Sequence, residues 1–390
     1  MLKSRTLTIN FLDSQLQSIA PSSIVAESMV IEKSLFDDDF KLGGCIATMF
    51  ECDLINISKS YIQNKRIQVV LISTFYTDET LYPSKNIHPS INIYPGDKME
   101  RTEERVLFTG VVDNTNRQSN KKILHITAYD DLYFLSKKNI YTWFSQYAQY
   151  SPNTTLSAVA NTLIESQLNN IDVVKLIGNW NNSLKSNLNY ILTKEKYSPV
   201  LYATDLLRSI NELSLGFIYI DELGRLNSLQ GLKKVNQKTI NTYETLEYED
   251  YTTSLIDIFR LTYQDNEIIQ WGRVSKTHSC YEADENVIAI CSTNKEALSN
   301  AIGELLNENK GRLAYSSYQY RPFECVTDDI NYSLGDYVKI PTMQDSELYY
   351  IDSFITRIRL EGIQNIKTIL SATGAEIIGN YDADYEEVTT

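Results

Sequence analysis

Histidines, cysteines and acidic residues are the side chains of this 390-residue chain that could perform catalysis or bind a metal ion. The three histidines, His88, His125 and His278, are far apart, and no His-Glu-x-x-His, zinc-type Cys/His spacing or Gly-x-Ser-x-Gly motif is present. No glycine-rich, phosphate-cradling loop is present either. His125 stands within a predicted strand, which favours a structural role. The sequence therefore predicts no catalytic, metal or cofactor site.

The acidic residues do not select a site of their own. Asp37-Asp38-Asp39 is the densest acidic run in the N-terminal part, and we expect an exposed turn there, because calcium needs ligands from more than one short run. Fifty acidic residues leave open a hydrolytic carboxylate pair, as in a cell-wall hydrolase. Trp143, Trp180 and Trp271 leave open a carbohydrate-binding module.

Composition and charge favour a globular protein without affinity for polyanions. The chain is 43% hydrophobic and 22% charged, and its length suggests two to four domains. A net charge of −14 argues against binding to nucleic-acid phosphates or anionic membrane surfaces. No apolar run is long enough to span a bilayer, and the first twelve residues alternate like a strand, so we expect cytoplasmic synthesis.

Cysteine and tyrosine usage leaves two questions open. The five cysteines are odd in number and form no Cys-x-x-Cys, which predicts buried free thiols, although a Cys45–Cys52 disulfide stays an alternative. The 27 tyrosines fit barrel packing or subunit interfaces equally well.

Residues 106–135 carry the strongest structural pattern of the chain. Alternating residues predict a strand over 106–113 and a second over 123–129, joined by a polar loop. Asp130 then occupies an N-cap position before the helical pattern of Leu132, Tyr133 and Leu135. A hairpin leading directly into a short helix is predicted.

The rest of the chain divides into β, α+β and again β. The fold class predicted is mainly β with α+β: two tube-like β-barrels separated by a small α+β domain. In the last part, 287–291 is predicted as a strand, and Tyr349–Ile358 with Ile366–Ala372 as a hairpin. The predicted domains are an N-terminal barrel at 1–148 with a long loop at 77–104, a middle α+β domain at 149–245, a second barrel at 246–378 with a helix at 293–309, and an acidic mobile tail at 379–390.

Three motifs resemble one protein family, and together they span most of the chain. They are Phe108–Val112 with Ile126–Tyr133, Leu206–Ile210 with Gly216–Leu226, and Tyr320–Phe323 with Leu334–Val338 and Ile369–Gly374. In order and spacing they resemble phage tail-hub proteins, the hubs of baseplates and tail tips. The family positions matched are read as structural-motif residues that shape turns and the fold: Gly110, Asp130, Gly224, Arg321, Pro322, Gly335 and Asp336.

The resemblance implies a non-enzymatic structural protein of a phage tail or of a phage-derived contractile particle, assembled in the host bacterial cytoplasm. It implies a homotrimer, in which two barrels per copy make a ring of six that adapts a six-fold tail tube to a three-fold spike or tip. The implied partners are the tail tube protein and a spike or distal tip protein, with the tape-measure protein as a further candidate. DNA would pass without specific binding, and no membrane binding is implied. The chain ends about sixteen residues after Gly374, so no lytic domain of longer relatives is expected.

Overall fold

The structure is a computed structural model of the whole chain. It describes residues 2–12, 15–37, 40–76, 100–117, 122–150, 156–167, 200–213, 216–230, 232, 237–253, 256–263, 267–271, 279–291, 295–296, 298–300, 320–344 and 347–374.

Strands dominate the described residues, as the alternating apolar pattern predicts. The strands of the first third are β1 (Leu2–Phe11), β2 (Val30–Ser34), β3 (Met49–Ile55), β4 (Arg66–Tyr76), β5 (Glu100–Arg117) and β6 (Ile123–Tyr129). Those that follow are β7 (Gly216–Ile220), β8 (Leu226–Gln230), β9 (Lys238–Thr239), β10 (Thr245–Tyr248), β11 (Ile256–Thr262), β12 (Ile268–Trp271), β13 (Ser279–Ala283), β14 (Phe323–Thr327), β15 (Tyr337–Gln344), β16 (Glu347–Phe354), β17 (Arg357–Glu361) and β18 (Lys367–Ala372).

Six α-helices lie between these strands in the described part of the chain. They are α1 (Lys59–Ile62), α2 (Asp131–Lys137), α3 (Tyr141–Tyr150), α4 (Leu156–Gln167), α5 (Ala203–Leu213) and α6 (Val287–Cys291). Short 3₁₀ turns cover Pro21–Ser23 and Ala26–Ser28.

The described residues form two compact units. The first draws on residues 1–31, 50–128 and 361–366. Its strands are hydrogen-bonded in the order β1-β4-β5-β6-β3, and β1, β4 and β5 are antiparallel. One face is apolar: Leu7, Ile9 and Leu71 are buried there, and the rings of Phe50 and Phe108 stack with centroids 5.5 Å apart.

The second unit draws on the described residues within 32–49, 129–360 and 367–374. Its largest run of strands is β2-β17-β18-β14-β10, to which β2 contributes its residues from Glu32 onwards. Two three-stranded sheets, β12-β11-β13 and β16-β15-β9, and the hairpin β7-β8 complete its β structure. Helix α5 packs on β7 with a face of buried residues: Ala203, Leu206, Leu207 and Ile210.

The predicted fold class is confirmed: the chain is mainly β with a few helices. The hairpin of residues 106–129, the following helix and the 217–229 hairpin all form, although β5 continues to Arg117 through residues 114–117, which were predicted as loop. The two predicted barrels and the domain boundaries at 148, 245 and 378 stay predictions.

Three predicted elements differ from the structure. The loop predicted at 77–104 ends earlier, because β5 begins at Glu100, which pairs with Tyr76 at the end of β4. Residues 287–291, predicted as a strand, form helix α6: a short apolar run fits a strand and a helix equally well. The strand predicted over 349–358 is broken at Ile355, so that β16 pairs with β15, and β17 with β18.

The thiols of Cys45, Cys52, Cys291 and Cys325 are free, so the alternative Cys45–Cys52 disulfide is wrong. Burial raises the pKa of Cys45 and of Cys291 to about 12, and the buried thiols are held in the neutral form.

Several predictions fall outside the described residues. They are the loop from 77 to 99, most of the 293–309 helix including Thr293, Trp180 and the acidic tail at 379–390. Of the 293–309 helix, residues 295–296 and 298–300 are described and are helical.

Candidate interaction surfaces

Asp130 joins the hairpin β5–β6 to helix α2 as an N-cap. Its carboxylate accepts hydrogen bonds from the backbone N–H of Leu132 (2.9 Å) and of Thr48 (2.7 Å). The side chain is buried, and desolvation raises the pKa of this carboxyl to about 7, against the lowering effect of the two backbone donors. Asp130 therefore fixes the start of α2, and its contribution to the free energy of unfolding depends on pH.

Two of the predicted structural glycines lie in different environments. Gly110 stands within β5, opposite Ile67 of β4. Gly224 has φ of +78° in the turn between β7 and β8, a conformation that suits glycine. The turn is closed by Asp221, whose carboxylate accepts from the N–H groups of Leu223 (3.0 Å) and Arg225 (2.9 Å).

Gly335 and Asp336 form one turn before β15. Gly335 has φ of +83°, and a Cβ added to it would collide with the side chain of Leu229. The Asp336 carboxylate accepts from Lys238 Nζ of β9 (2.6 Å) and from the backbone N–H of Ser333 (2.7 Å). The pair thereby sets where β15 begins and holds β9 beside it.

Arg321 and Pro322 hold strand β10 in place. The Arg321 guanidinium lies 5.8 Å from the ring centroid of Tyr248 and 5.7 Å from that of Tyr349, so it contacts β10 and β16 through cation–π interactions. The Pro322 carbonyl accepts a hydrogen bond from the N–H of Glu249 (3.0 Å). The predicted motif residues thus fall into two local pairs, 321–322 and 335–336, while Gly110, Asp130 and Gly224 each lie in a separate element.

The two terminal strands of the ten-stranded order, β1 and β10, differ in charge. β1, at the end of the first unit's sheet, carries Lys3 and Arg5 and no acidic residue. β10, at the end of the second unit's sheet, lies in the segment 244–250, which has four acidic residues and no basic one. Terminal strands expose backbone N–H and C=O groups that can pair with another strand, so both edges are candidate interaction surfaces.

The hairpin β15–β16 exposes an apolar face. Met343 pairs with Leu348 and Pro341 with Tyr350 on its outward side. Met343 is 65%, Leu348 61% and Tyr350 45% exposed, whereas Ile340 and Ile351 on the opposite side are buried. Exposed apolar groups gathered on one face are typical of an interaction surface.

A buried polar cluster in the second unit was missed by the sequence patterns. The carboxylate of Glu212 accepts from the Tyr281 hydroxyl (2.7 Å) and from Asn286 Nδ2 (2.8 Å). Desolvation raises the pKa of Glu212, against these two hydrogen bonds. The cluster joins α5, β13 and the start of α6. Asn286 directly before an apolar run was the one signal that could have revealed it, as an N-cap.

The residues considered for other chemistry lie apart. His125 is half exposed on β6, with Nδ1 2.8 Å from Asp53 Oδ1 on β3. Trp143 stacks on Tyr147 within α3, at 5.4 Å between centroids. Within the described ranges, no group of three or more His, Cys, Asp or Glu side chains could hold a metal ion. No helix of the described chain has the length and apolar character needed to cross a membrane.

Known structures resemble this fold over nearly its whole length. A tail protein from Neisseria meningitidis MC58 is 10% identical, with a TM-score of 0.52 over 96% of this chain and 100% of that one. A 43 kDa tail protein of prophage MuSo2 from Shewanella oneidensis is 11% identical, with a TM-score of 0.50 over 95% of this chain and 97% of that one. A prophage tail protein from Listeria monocytogenes EGD-e reaches a TM-score of 0.46 at 10% identity, over 95% of each chain. No protein-family model and no curated protein sequence matches the chain.

The first two similarities define the class of fold. At TM-scores of 0.52 and 0.50 over almost complete chains, this protein has the fold of phage tail proteins. The resemblance to phage tail hubs, read from three short motifs, is confirmed at the level of the fold.

Proposed function

We propose that this chain is a structural, non-enzymatic hub in the tail of a phage or of a phage-derived contractile particle. Three copies form a ring that joins a six-fold tail tube to a three-fold spike or distal tip. The observation that carries this proposal is the shared fold with a tail protein over 96% of the chain. Fold alone does not define function, so the role follows from the fold together with the surfaces described above.

Two runs of five strands in each copy support the proposed change of symmetry. Each unit contributes a run of five described strands, β1-β4-β5-β6-β3 in the first and β2-β17-β18-β14-β10 in the second. If each run is part of one tube-like barrel, three copies supply six barrels. The proposed domains, at 1–148, 149–245 and 246–378, place the α+β part between the two barrels.

The charge of the chain supports passage of DNA without specific binding. The net charge of −14 gives a surface that repels phosphate groups, which nucleic-acid-binding surfaces attract through clustered Lys and Arg. The partners proposed are the tail tube protein on one side of the ring and the spike or tip protein on the other. The tape-measure protein is the third proposed partner.

Mass measurement and imaging test the proposal together. The purified chain is expected to assemble into particles of three 44.7 kDa copies, alone or with its spike partner. Images of the tail end are expected to show a ring of three chains with six similar modules. A ring of six chains, or one module per chain, would overturn the symmetry adaptor. A lumen lined by Lys and Arg would overturn unhindered DNA passage.

Activity measurements test the non-enzymatic part separately. Peptidoglycan incubated with the chain is expected to stay intact. Turnover that disappears on substitution of a single Asp or Glu would replace the structural hub by a cell-wall hydrolase. Binding to a sugar array that depends on Trp143 would instead indicate a carbohydrate-binding tail module.

A further inference from the structure

Strand β1 has an edge that the described residues leave largely unpaired. The strand runs for ten residues and pairs on one side with β4. On its other side the described chain provides a single bridge, between Ile9 and Ile19. Among the described residues, the backbone groups from Leu2 to Thr8 on that side have no strand partner. A long edge without proline would pair with other chains unless it were covered in the assembled protein.

Arg5 lies on this open part of β1 without a partner. The structure gives Arg5 no ion pair within the described residues, and its Nε atom is buried and makes no hydrogen bond. Burying a polar N–H of a guanidinium without an acceptor is costly. Lys3, two residues away, is in an ion pair with Glu100. Arg5 is therefore the cation of this edge that lacks an anion.

Strand β10 shows the opposite charge imbalance, with carboxylates that lie close to one another. Glu247 pairs in register with Glu324 of β14, and both side chains are exposed. Like charges directly opposite each other on neighbouring strands destabilise a sheet. The structure gives Glu247 no ion pair within the described residues, and Glu249 and Asp250 add further negative charge immediately after the strand. Lys367 pairs with Glu244 just before the strand (3.2 Å) and Arg321 lies over Tyr248, so Glu247 and Glu324 are the carboxylates of this edge that have no cation among the described residues.

We propose that β1 of one copy pairs with β10 of the next copy in the ring, with Arg5 lying against Glu247 and Glu324. The inference rests on the proposed function, which supplies the neighbouring copy. Two different edges on the same chain make a head-to-tail contact, and contacts of this kind close into rings when the rotation fits. The pairing gives the backbone edge of β1 a strand partner and brings the Arg5 guanidinium beside the carboxylates of Glu247 and Glu324.

Charge complementarity favours a second copy of this chain as the partner that pairs with β1. β16 is also a terminal strand and is also acidic: it carries Glu347 and Asp352 and no basic residue. Of these, Asp352 already faces Lys339 at 3.9 Å. Glu247 and Glu324 have no such neighbour in the described chain. β16 therefore serves as the matched control for β10.

Reversal and exchange of the charges test the contact. Self-association of wild-type chain, Arg5→Glu, Glu247→Arg and the double variant is measured by sedimentation at several concentrations. Each single reversal is expected to weaken association roughly tenfold to hundredfold, and the double variant to recover most of it. Glu347→Arg, on the face of β16 opposite Leu348 and Tyr350, is expected to leave association unchanged and not to rescue Arg5→Glu. Thermal unfolding of each variant verifies that it is folded.

Two results would overturn the contact without affecting the hub. A trimer unaffected by both single reversals would remove the pairing and leave the ring in place. A double variant no better than either single one would show that the charges do not meet. A chain that stays monomeric at all concentrations, alone and with its tail partners, would remove the ring and this contact together.

Discussion

Asn286 Nδ2 donates to Glu212 Oε2 over 2.8 Å, while the Oδ1 atom of the same amide accepts from the backbone N–H of Ala289 at 3.1 Å. One side chain thus caps helix α6 and satisfies a buried carboxylate on helix α5. Nδ2 also donates to the carbonyl of Ser209, at 3.0 Å. An amide is required here because the position needs a donor and an acceptor on the same group.

Asn286→Asp is expected to destabilise the chain strongly near neutral pH and less in acid. The new carboxylate would keep the cap but lie against Glu212 and the Ser209 carbonyl, and we expect a loss on the order of 3–5 kcal/mol in the free energy of unfolding. Since two adjacent carboxyls can share a proton, part of the loss should be recovered as the pH falls. Urea unfolding of the wild-type chain and of Asn286→Asp between pH 4 and 8 measures this change in the free energy of unfolding. Asn227→Asp is the control, because Asn227 lies in strand β8 and its amide donates to the Arg225 carbonyl (2.8 Å). An equal, pH-independent loss in both variants would contradict the prediction.

The free energy of unfolding is expected to fall as the pH rises from 4 to 7, because the carboxyl of Asp130 is buried. Its pKa rises from 3.8 to about 7 on folding, because the carboxyl is buried. The folded chain then binds a proton that the unfolded chain releases, so the stability present below pH 3.8 is lost as the pH increases towards 7. The loss is on the order of 4 kcal/mol.

Comparison with Asp130→Asn isolates this effect. The amide resembles the protonated acid and can still accept a hydrogen bond from the Leu132 N–H. The variant should therefore become more stable relative to the wild-type chain as the pH rises. Unfolding free energies at pH 4, 5.5, 7 and 8 provide the difference, with Asp328→Asn as an exposed control. A wild-type minus variant difference that does not change with pH would show that Asp130 does not titrate in this range.

Elements that depend on residues close in sequence could be predicted, whereas elements that depend on residues distant in sequence could not. Strand alternation, the Asp130 cap and the turn at Gly224 depend on neighbours in sequence, and they are where the patterns place them. The strand predicted at Val287–Cys291 was wrong, because a short apolar run does not distinguish a strand from a helix. The helix is set by Asn286 and by Ser209 of α5, whose Oγ accepts a hydrogen bond from the Val287 N–H. The exposed face of β15–β16 and the unpaired Arg5 depend on strand order, which alternation alone does not determine.

Gly335→Ala is expected to destabilise the chain more than Gly362→Ala. Both glycines have positive φ, +83° and +74°, so each substitution costs about 1 kcal/mol in backbone strain. At Gly335 the new methyl group must also displace Leu229, whereas at Gly362 its nearest neighbour is Glu27 Oε2 at 3.2 Å. Overpacking adds roughly 1–3 kcal/mol. Urea unfolding of both variants measures the difference, and equal losses would indicate that Leu229 moves aside freely.

Arg321→Lys is expected to loosen strand β10 while leaving the rest of its sheet protected. The flat guanidinium lies within 5.8 Å of Tyr248 and 5.7 Å of Tyr349, and an ammonium group loses this stacking on both rings. A cation–π contact is worth about 1 kcal/mol, so hydrogen exchange at the β10 amides should become several-fold faster. The amide of Glu249, which donates to Pro322, is the most direct reporter. Arg260→Lys is the matched control, because Arg260 bonds Gln270 and Glu282 in a different sheet. Unchanged exchange at residues 245–249 would show that the backbone ladder to β14, and not Arg321, holds this edge in the position that the proposed ring contact requires.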